Sequence, residues 1–167
     1  MKRDQDNDYI KKTKLELRPY QQDCIDDVLR FLSDGQYRQI ISLPVGAGKT
    51  VIFTHIISRI RNVCNATKTL IVVHRVELAL QTMRQIERNT ELSVSMDQGN
   101  LCANFNKDVI VASIQTIGNP NNLRLQRYNP AQFKGSSIDE AHYAAADSYR
   151  RVIDYFTTKS KSSSDST

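Results

Sequence analysis

Leu43-Pro44-Val45-Gly46-Ala47-Gly48-Lys49-Thr50 lies between a short apolar run, Ile40 to Leu43, and a segment where Val51, Ile52, Phe53, Ile56, Ile57 and Ile60 make a helix apolar on most sides. The order is strand, loop, buried helix. Chemistry gives each residue type in the loop a reason. Gly46 and Gly48 let the backbone bend so that successive N–H groups point at phosphate oxygens, at the positive end of the following helix. Lys49 is placed to reach the β- and γ-phosphates of a nucleotide, and the Thr50 hydroxyl to ligate Mg²⁺. The general pattern G-x-x-x-x-G-K-[ST] begins with a glycine where this chain has Leu43, so the match to that pattern is incomplete.

Outward from the loop, apolar residues alternate between two periods and no internal repeat is visible. Upstream, Ile25, Val28, Leu29 and Leu32 recur at helical spacing between Pro19 and Gly35, an amphipathic helix with its stop. Downstream, Leu70 to Val73 runs without alternation, as a strand covered on both faces does, and Ala79, Met83 and Ile86 return to helical spacing. Leu92, Val94 and Met96 alternate with Ser93 and Ser95, which predicts a strand with one wet face near a sheet edge. Val109 to Ala112 reads as another buried strand, and Tyr149, Val152, Ile153 and Phe156 as a last amphipathic helix. Parallel strands need crossover connections and these helices supply them, so the predicted fold is α/β, a mostly parallel sheet flanked by helices. Ligands of such sheets bind at the carboxyl ends of the strands, which directs attention to the loops after Leu43, Val73, Ala112 and Ile138.

A chain of 167 residues matches one domain of roughly 100 to 200 residues. Residues 1–16 are polar and without period, and 157–167 are almost wholly Thr, Ser, Lys and Asp; both are expected to be disordered, leaving 17–156 as the domain. No apolar run approaches the roughly 18 residues that span a bilayer, so no membrane partner is expected. The net charge of +5 would favour a polyanion and suits many proteins without one. Cys24, Cys64 and Cys102 are odd in number and far apart, which indicates neither a disulfide framework nor a zinc site. Met1 to Lys14 mixes basic residues with Asp4, Asp6 and Asp8, unlike a secretory or transit peptide. An intracellular, reducing compartment is expected, with nucleus, cytoplasm and mitochondrion all open.

Ile138-Asp139-Glu140-Ala141-His142 stands far downstream of the glycine-rich loop. In a nucleotide hydrolase Asp139 would hold Mg²⁺ through its water shell while Glu140 takes a proton from the attacking water. Alone, a D-E-x-H string is more often an exposed helix start than a catalytic site; the loop upstream, in the right order, gives it meaning.

With both motifs in hand, residues 15–156 resemble the superfamily 2 helicases, and most of all the branch that holds type I and III restriction motor subunits, excision-repair helicases and fungal mitochondrial branch-migration helicases. The loop of that family has the form x-P-x-G-x-G-K-T, which Pro44 to Thr50 match, so Leu43 is no anomaly there. The resemblance implies a RecA-like ATP-binding domain in which Pro44, Val45, Gly46, Ala47, Gly48, Lys49 and Thr50 cradle ATP, Thr50 and Asp139 hold Mg²⁺, and Lys49 and Glu140 are catalytic. Leu17-Arg18-Pro19-Tyr20-Gln21 is similar to the family's L-R-x-Y-Q segment, which implies that Gln21 reads the adenine with Arg18 beside it. His142 would couple the site to neighbouring motifs. Val73-His74-Arg75-Val76-Glu77-Leu78 resembles motif Ia, and Ala112-Ser113-Ile114-Gln115-Thr116 the next strand-end motif. Both grip a nucleic-acid backbone in the family, DNA more readily than RNA, so His74, Arg75, Ser113, Gln115 and Thr116 become the candidate contacts. Such contacts position a strand without reading its sequence.

The chain departs from that family in two ways. Its acidic box is preceded by Phe133-Lys134-Gly135-Ser136-Ser137-Ile138 where a bulky apolar strand is usual. Glycine weakens a strand, and a buried serine without a partner costs about 1 to 3 kcal/mol. Nor does a motif III strand or a second RecA-like domain follow within these residues. In the family the second domain supplies arginines worth about 10³ to 10⁵ in rate, so this chain by itself is expected to hydrolyse ATP near background and not to translocate. The leading reading is the ATP-binding module of a helicase or translocase that needs a second RecA-like domain or a partner chain. The alternative is a truncated, catalytically inactive paralogue that keeps weak nucleotide or nucleic-acid binding. An unrelated P-loop kinase or GTPase would leave the segments at Gln21, Arg75 and Gln115 as coincidences.

Overall fold

Leu70 to Val73 is buried at every position in the computed structural model, because strand β1 (Lys68–Val73) has an apolar layer on each face. The structure describes residues 16–36, 39, 41, 44, 46–64, 68–138 and 146–161, as backbone alone at 61–64, 134–138 and 158–161. Three further strands, β2 (Val94–Asp97), β3 (Val109–Ser113) and β4 (Phe133–Ile138), complete a sheet of order β2-β3-β1-β4 in which every neighbouring pair is parallel. As the alternation of Leu92, Val94 and Met96 predicts, β2 lies at the sheet edge. The strand expected at Ile40 to Leu43 lies outside the described residues.

Strand periodicity divides the core in two. Leu70, Val72, Ile110 and Ala112 point to one side, against Ile114 and Ile117 of a short helix α4 (Ile114–Ile117) and Tyr149 and Val152 of α5 (Asp147–Lys161). Ile71, Val73, Val109 and Val111 point to the other, against Ile57 of α2 (Lys49–Cys64) and Ala79 and Ile86 of α3 (Val76–Asn89). Helix α1 (Pro19–Ser33) packs on α2 through Ile25 and Val28 against Ile52, Ile56 and Ile60. Full burial of such a side chain contributes about 1.5 to 3 kcal/mol, whereas the exposed Arg59–Asp26 pair across the seam, 3.3 Å apart, adds little.

Three elements differ from the sequence expectation. The outer face of β2 is partly covered, with Ser93 and Ser95 half-buried, because residues 98–108 fold back over it. The Asn104 N–H donates to Ser95 Oγ at 2.9 Å, and Asp97, at 0% exposure, is closed in by Arg124 and Tyr128. The Tyr128 hydroxyl donates to Asp97 Oδ2 at 2.7 Å, and Arg124 pairs with the same carboxylate while donating to the carbonyls of Gly99 and Leu101.

Strand β4 forms despite its glycine and serines. Backbone pairing does not depend on side-chain volume, and an extra residue is absorbed by a register shift between Lys68 and Thr69, where Gly135 meets Thr69. Among the described residues β1 is its only strand neighbour. The polar tail predicted to begin at Thr157 is helical as far as Lys161, so 157–161 belong to α5. Extending a formed helix is easy once it is nucleated, and the Thr157 hydroxyl donates to Ile153 O at 2.7 Å. Residues 1–15 and 162–167 lie outside the described residues.

Burial first, and then the Asp97 charge and hydrogen bond, push the Tyr128 phenol up from its ordinary value. A folded-state value raised above the unfolded value of about 10 gives stability that is present below that pH and lost as pH rises through it. Urea unfolding should therefore show wild-type stability falling above about pH 10 and a shallower fall in Tyr128→Phe, which at pH 7 is destabilised by about 1 to 3 kcal/mol through the unsatisfied carboxylate oxygen.

Candidate functional site

All four described strands are parallel, so their carboxyl ends share one edge of the sheet. At the start of α2, Gly46 and Gly48 both adopt left-handed backbone, with φ of 83° and 74°. The Ala47 N–H donates to Pro44 O at 3.2 Å, closing a tight turn, and the Gly48 carbonyl accepts from Val51 and Ile52, opening the helix. The N–H groups at the first turn of such a helix have no intrahelical partner. Lys49 is exposed, Thr50 is half-buried, and the Thr54 hydroxyl donates to Thr50 O at 2.7 Å. Pro44 is exposed, and Val45 lies outside the described residues.

The loop leans on α1. Gln21 is 6% exposed; its Oε1 accepts from the Arg18 N–H at 3.0 Å and its Nε2 donates to Ala47 O at 3.0 Å. Tyr20 donates to the same carbonyl at 2.9 Å. The φ of Gly48 favours glycine, and a Cβ there would also come within 2.6 Å of Gln21 Nε2 and displace that amide. Arg18 itself is exposed. A turn of two left-handed glycines, a helix N-terminus and an exposed lysine fits the phosphates of a nucleotide. Beneath Lys49 and Thr50 a cavity of ≈ 30 Å³ reaches Ile71 and Ile86. That is room for water and not for a nucleotide, which needs a site of roughly 300 Å³ or more.

Further along the edge, His74 is half-buried and Arg75 is exposed where α3 begins. Gln115 is exposed and its Nε2 donates to His74 O at 2.6 Å, which ties the two strand-end loops together. Ser113 and Thr116, 1% and 7% exposed, face inward. Their hydroxyls bond each other at 2.8 Å, and Thr116 Oγ1 also accepts from the Gly99 N–H at 2.9 Å. Ile138 pairs with Val72, so β4 emerges at the same edge as Val73 and Ser113. Asp139, Glu140 and His142 lie outside the described residues.

The sequence reading assigned Tyr20 no role, although it stands directly before Gln21 in the quoted segment. Asp97, Arg124 and Tyr128 were missed too; the one signal was Asp97 in phase with Ser95 on a face expected to be wet.

A parallel sheet with helices on both faces, a glycine-rich loop opening a helix and exposed strand-end loops along one edge is the RecA-like N-terminal domain of a superfamily 2 helicase. Residues 14–161 match the family model of the type III restriction enzyme, res subunit, and the chain belongs to that family. It is 38% identical over 156 residues to irc3 of Schizosaccharomyces pombe, provisionally named a mitochondrial ATP-dependent helicase, covering 92% of this chain and 25% of that protein. It is 40% identical over 147 residues to IRC3 of Saccharomyces cerevisiae, provisionally named an ATP-dependent helicase, covering 84% and 21%. The chain thus spans a quarter or less of these relatives. Among solved structures it is similar to the Sulfolobus solfataricus SWI2/SNF2 ATPase core in complex with dsDNA, with a TM-score of 0.69, 17% identity and coverage of 85% of this chain and 30% of that one. The UvsW helicase of bacteriophage T4 gives 0.63 and 21%, with 87% and 50% covered. At those identities the likeness is one of fold.

Proposed function

We propose that this chain binds Mg-ATP and DNA as the nucleotide-binding half of an ATP-driven helicase or translocase. The observation that carries the reading is the loop of Gly46 to Thr50, where two left-handed glycines lead into α2 and α1 holds the Ala47 carbonyl, in a chain whose strand-end loops present Arg75 and Gln115. Lys49 reaches the β- and γ-phosphates, and Thr50 with Asp139 holds Mg²⁺. Glu140 takes the proton of the attacking water, and His142 couples that step to neighbouring segments. When bound, the metal ion offsets charge on the transferring phosphate.

Gln21 reads the adenine, with Arg18 beside it. A carboxamide can form four hydrogen bonds, two as donor and two as acceptor. Those to Arg18 N and Ala47 O use one of each and leave one donor and one acceptor for a base.

Arg75, His74 and Gln115 form the contact to the sugar-phosphate backbone. Ser113 and Thr116 belong to the same interface by shaping it, since their hydroxyls are bonded to each other. DNA is favoured over RNA because the matching family is named for a restriction enzyme. Rapid hydrolysis and movement along a strand belong to an engine with a second RecA-like domain, whose arginines are worth about 10³ to 10⁵ in rate. An intracellular location, without choice of organelle, fits the mitochondrial name of the fission-yeast relative.

Titration with a fluorescent ATP analogue should give saturable, Mg²⁺-dependent binding that Lys49→Ala abolishes; no saturable binding by the wild-type chain would refute the reading. For the second ligand, Arg75→Ala should weaken single-stranded DNA about equally across sequences and lower the slope of log K against log salt by about one. An unchanged slope would remove Arg75 from the interface.

A further inference from the structure

Two side chains from the first turn of α1 converge on one carbonyl of the phosphate loop. The Tyr20 hydroxyl donates to Ala47 O at 2.9 Å, and Gln21 Nε2 donates to the same oxygen at 3.0 Å. A carbonyl oxygen has two lone pairs, so both are engaged. Across a trans peptide the C=O and the following N–H point in opposite directions. Drawing the Ala47 carbonyl toward α1 therefore aims the Gly48 N–H the other way. Gly48 has the left-handed φ, 74°, that lets successive N–H groups converge on an anion. If this peptide turned over, a carbonyl oxygen would face the phosphates in place of a donor.

We infer that Tyr20 is a positioning residue of the phosphate loop, its hydroxyl joining Gln21 in clamping the Ala47–Gly48 peptide in the orientation that binds phosphate. The inference rests on the nucleotide reading above. The two donors differ in what else they do. Gln21 is buried, accepts from the Arg18 N–H and lies against Gly48, so any change to it disturbs several contacts together. Tyr20 is 41% exposed, and its hydroxyl can be removed while the core stays filled. Because the clamp acts on the loop and not on a base, its loss falls equally on every ligand that carries the same phosphates.

The test is Tyr20→Phe in the full chain, with calorimetric affinities for Mg-ATP, Mg-GTP and inorganic tripolyphosphate, and with hydrogen exchange in the absence of ligand at the amides of Ala47, Val51 and Ile52, which are bonded to Pro44 O and Gly48 O. All three affinities should fall by a common factor of about three to ten, the effect of one lost hydrogen bond. The amides should exchange faster while the thermal unfolding midpoint stays near that of the wild type. A loss confined to ATP would make Tyr20 a base contact and overturn the inference, and so would unchanged affinities. If the wild-type chain bound none of the three ligands, the nucleotide reading would fall, and exchange unaltered by Tyr20→Phe would then overturn the clamp on its own terms.

Discussion

A parallel strand cannot be joined to its neighbour by a hairpin; the chain must cross a face of the sheet before it can run in the same direction again. That constraint organises this molecule. Each crossover deposits a layer over the strands, so β1 and β3 are buried on both faces and are built from Leu, Ile and Val without alternation. The same constraint delivers Val73, Ser113 and Ile138 to one edge, so the loops that follow β1, β3 and β4 all start from it.

The interactions that make the edge usable are of two kinds. Apolar burial sets the frame: α2 and α3 on one face, α4 and α5 on the other, and α1 outside α2. A small set of hydrogen bonds then fixes the loops. The seam of Ile25 and Val28 on Ile52 and Ile56 brings the first turn of α1 to the glycine-rich loop, where it holds the Ala47 carbonyl. Gln115 bonded to His74 O joins the two strand-end loops, and Thr116 bonded to the Gly99 N–H joins the second of them to the turn after β2. That turn is anchored in its own right by Arg124, which bridges the Asp97 carboxylate and the carbonyls of Gly99 and Leu101. Removing one member of such a buried charged network leaves the other uncompensated, at a cost of about 3 to 5 kcal/mol.

The parts of this arrangement legible in the sequence were those governed by local periodicity or by a contiguous motif. The apolar run at Leu70 to Val73, the helical spacing of Ile25 to Leu32 and the edge position of Val94 follow from side-chain direction alone. The glycines at Gly46 and Gly48 announced a backbone that the structure shows as left-handed. What escaped depends on contacts distant along the chain. Asp97 meets Arg124 and Tyr128 only after residues 98–108 fold over β2, and nothing in the pattern of Val94 to Asp97 says that this will happen. Ser113 and Thr116 carry the right groups for a phosphate contact, but which way a hydroxyl points at a strand-to-helix junction is set by the neighbouring turn. Composition misplaced the end of α5 because adding residues to a helix already formed costs little, and Lys is itself a good helix former. In β4, backbone pairing outweighed poor strand propensity.

In the proposed function Gly46 to Thr50 wraps a nucleotide's phosphates, and Thr50 and Asp139 would hold the metal between them. A crystal structure of the chain with Mg²⁺ and a non-hydrolysable ATP analogue tests it most directly. Phosphate oxygens should lie within hydrogen-bond reach, about 2.7 to 3.2 Å, of the loop amides, with Thr50 and Asp139 both turned toward one Mg²⁺. Density for the analogue elsewhere, or Asp139 and Glu140 turned to the far side of the sheet from Lys49, would contradict it.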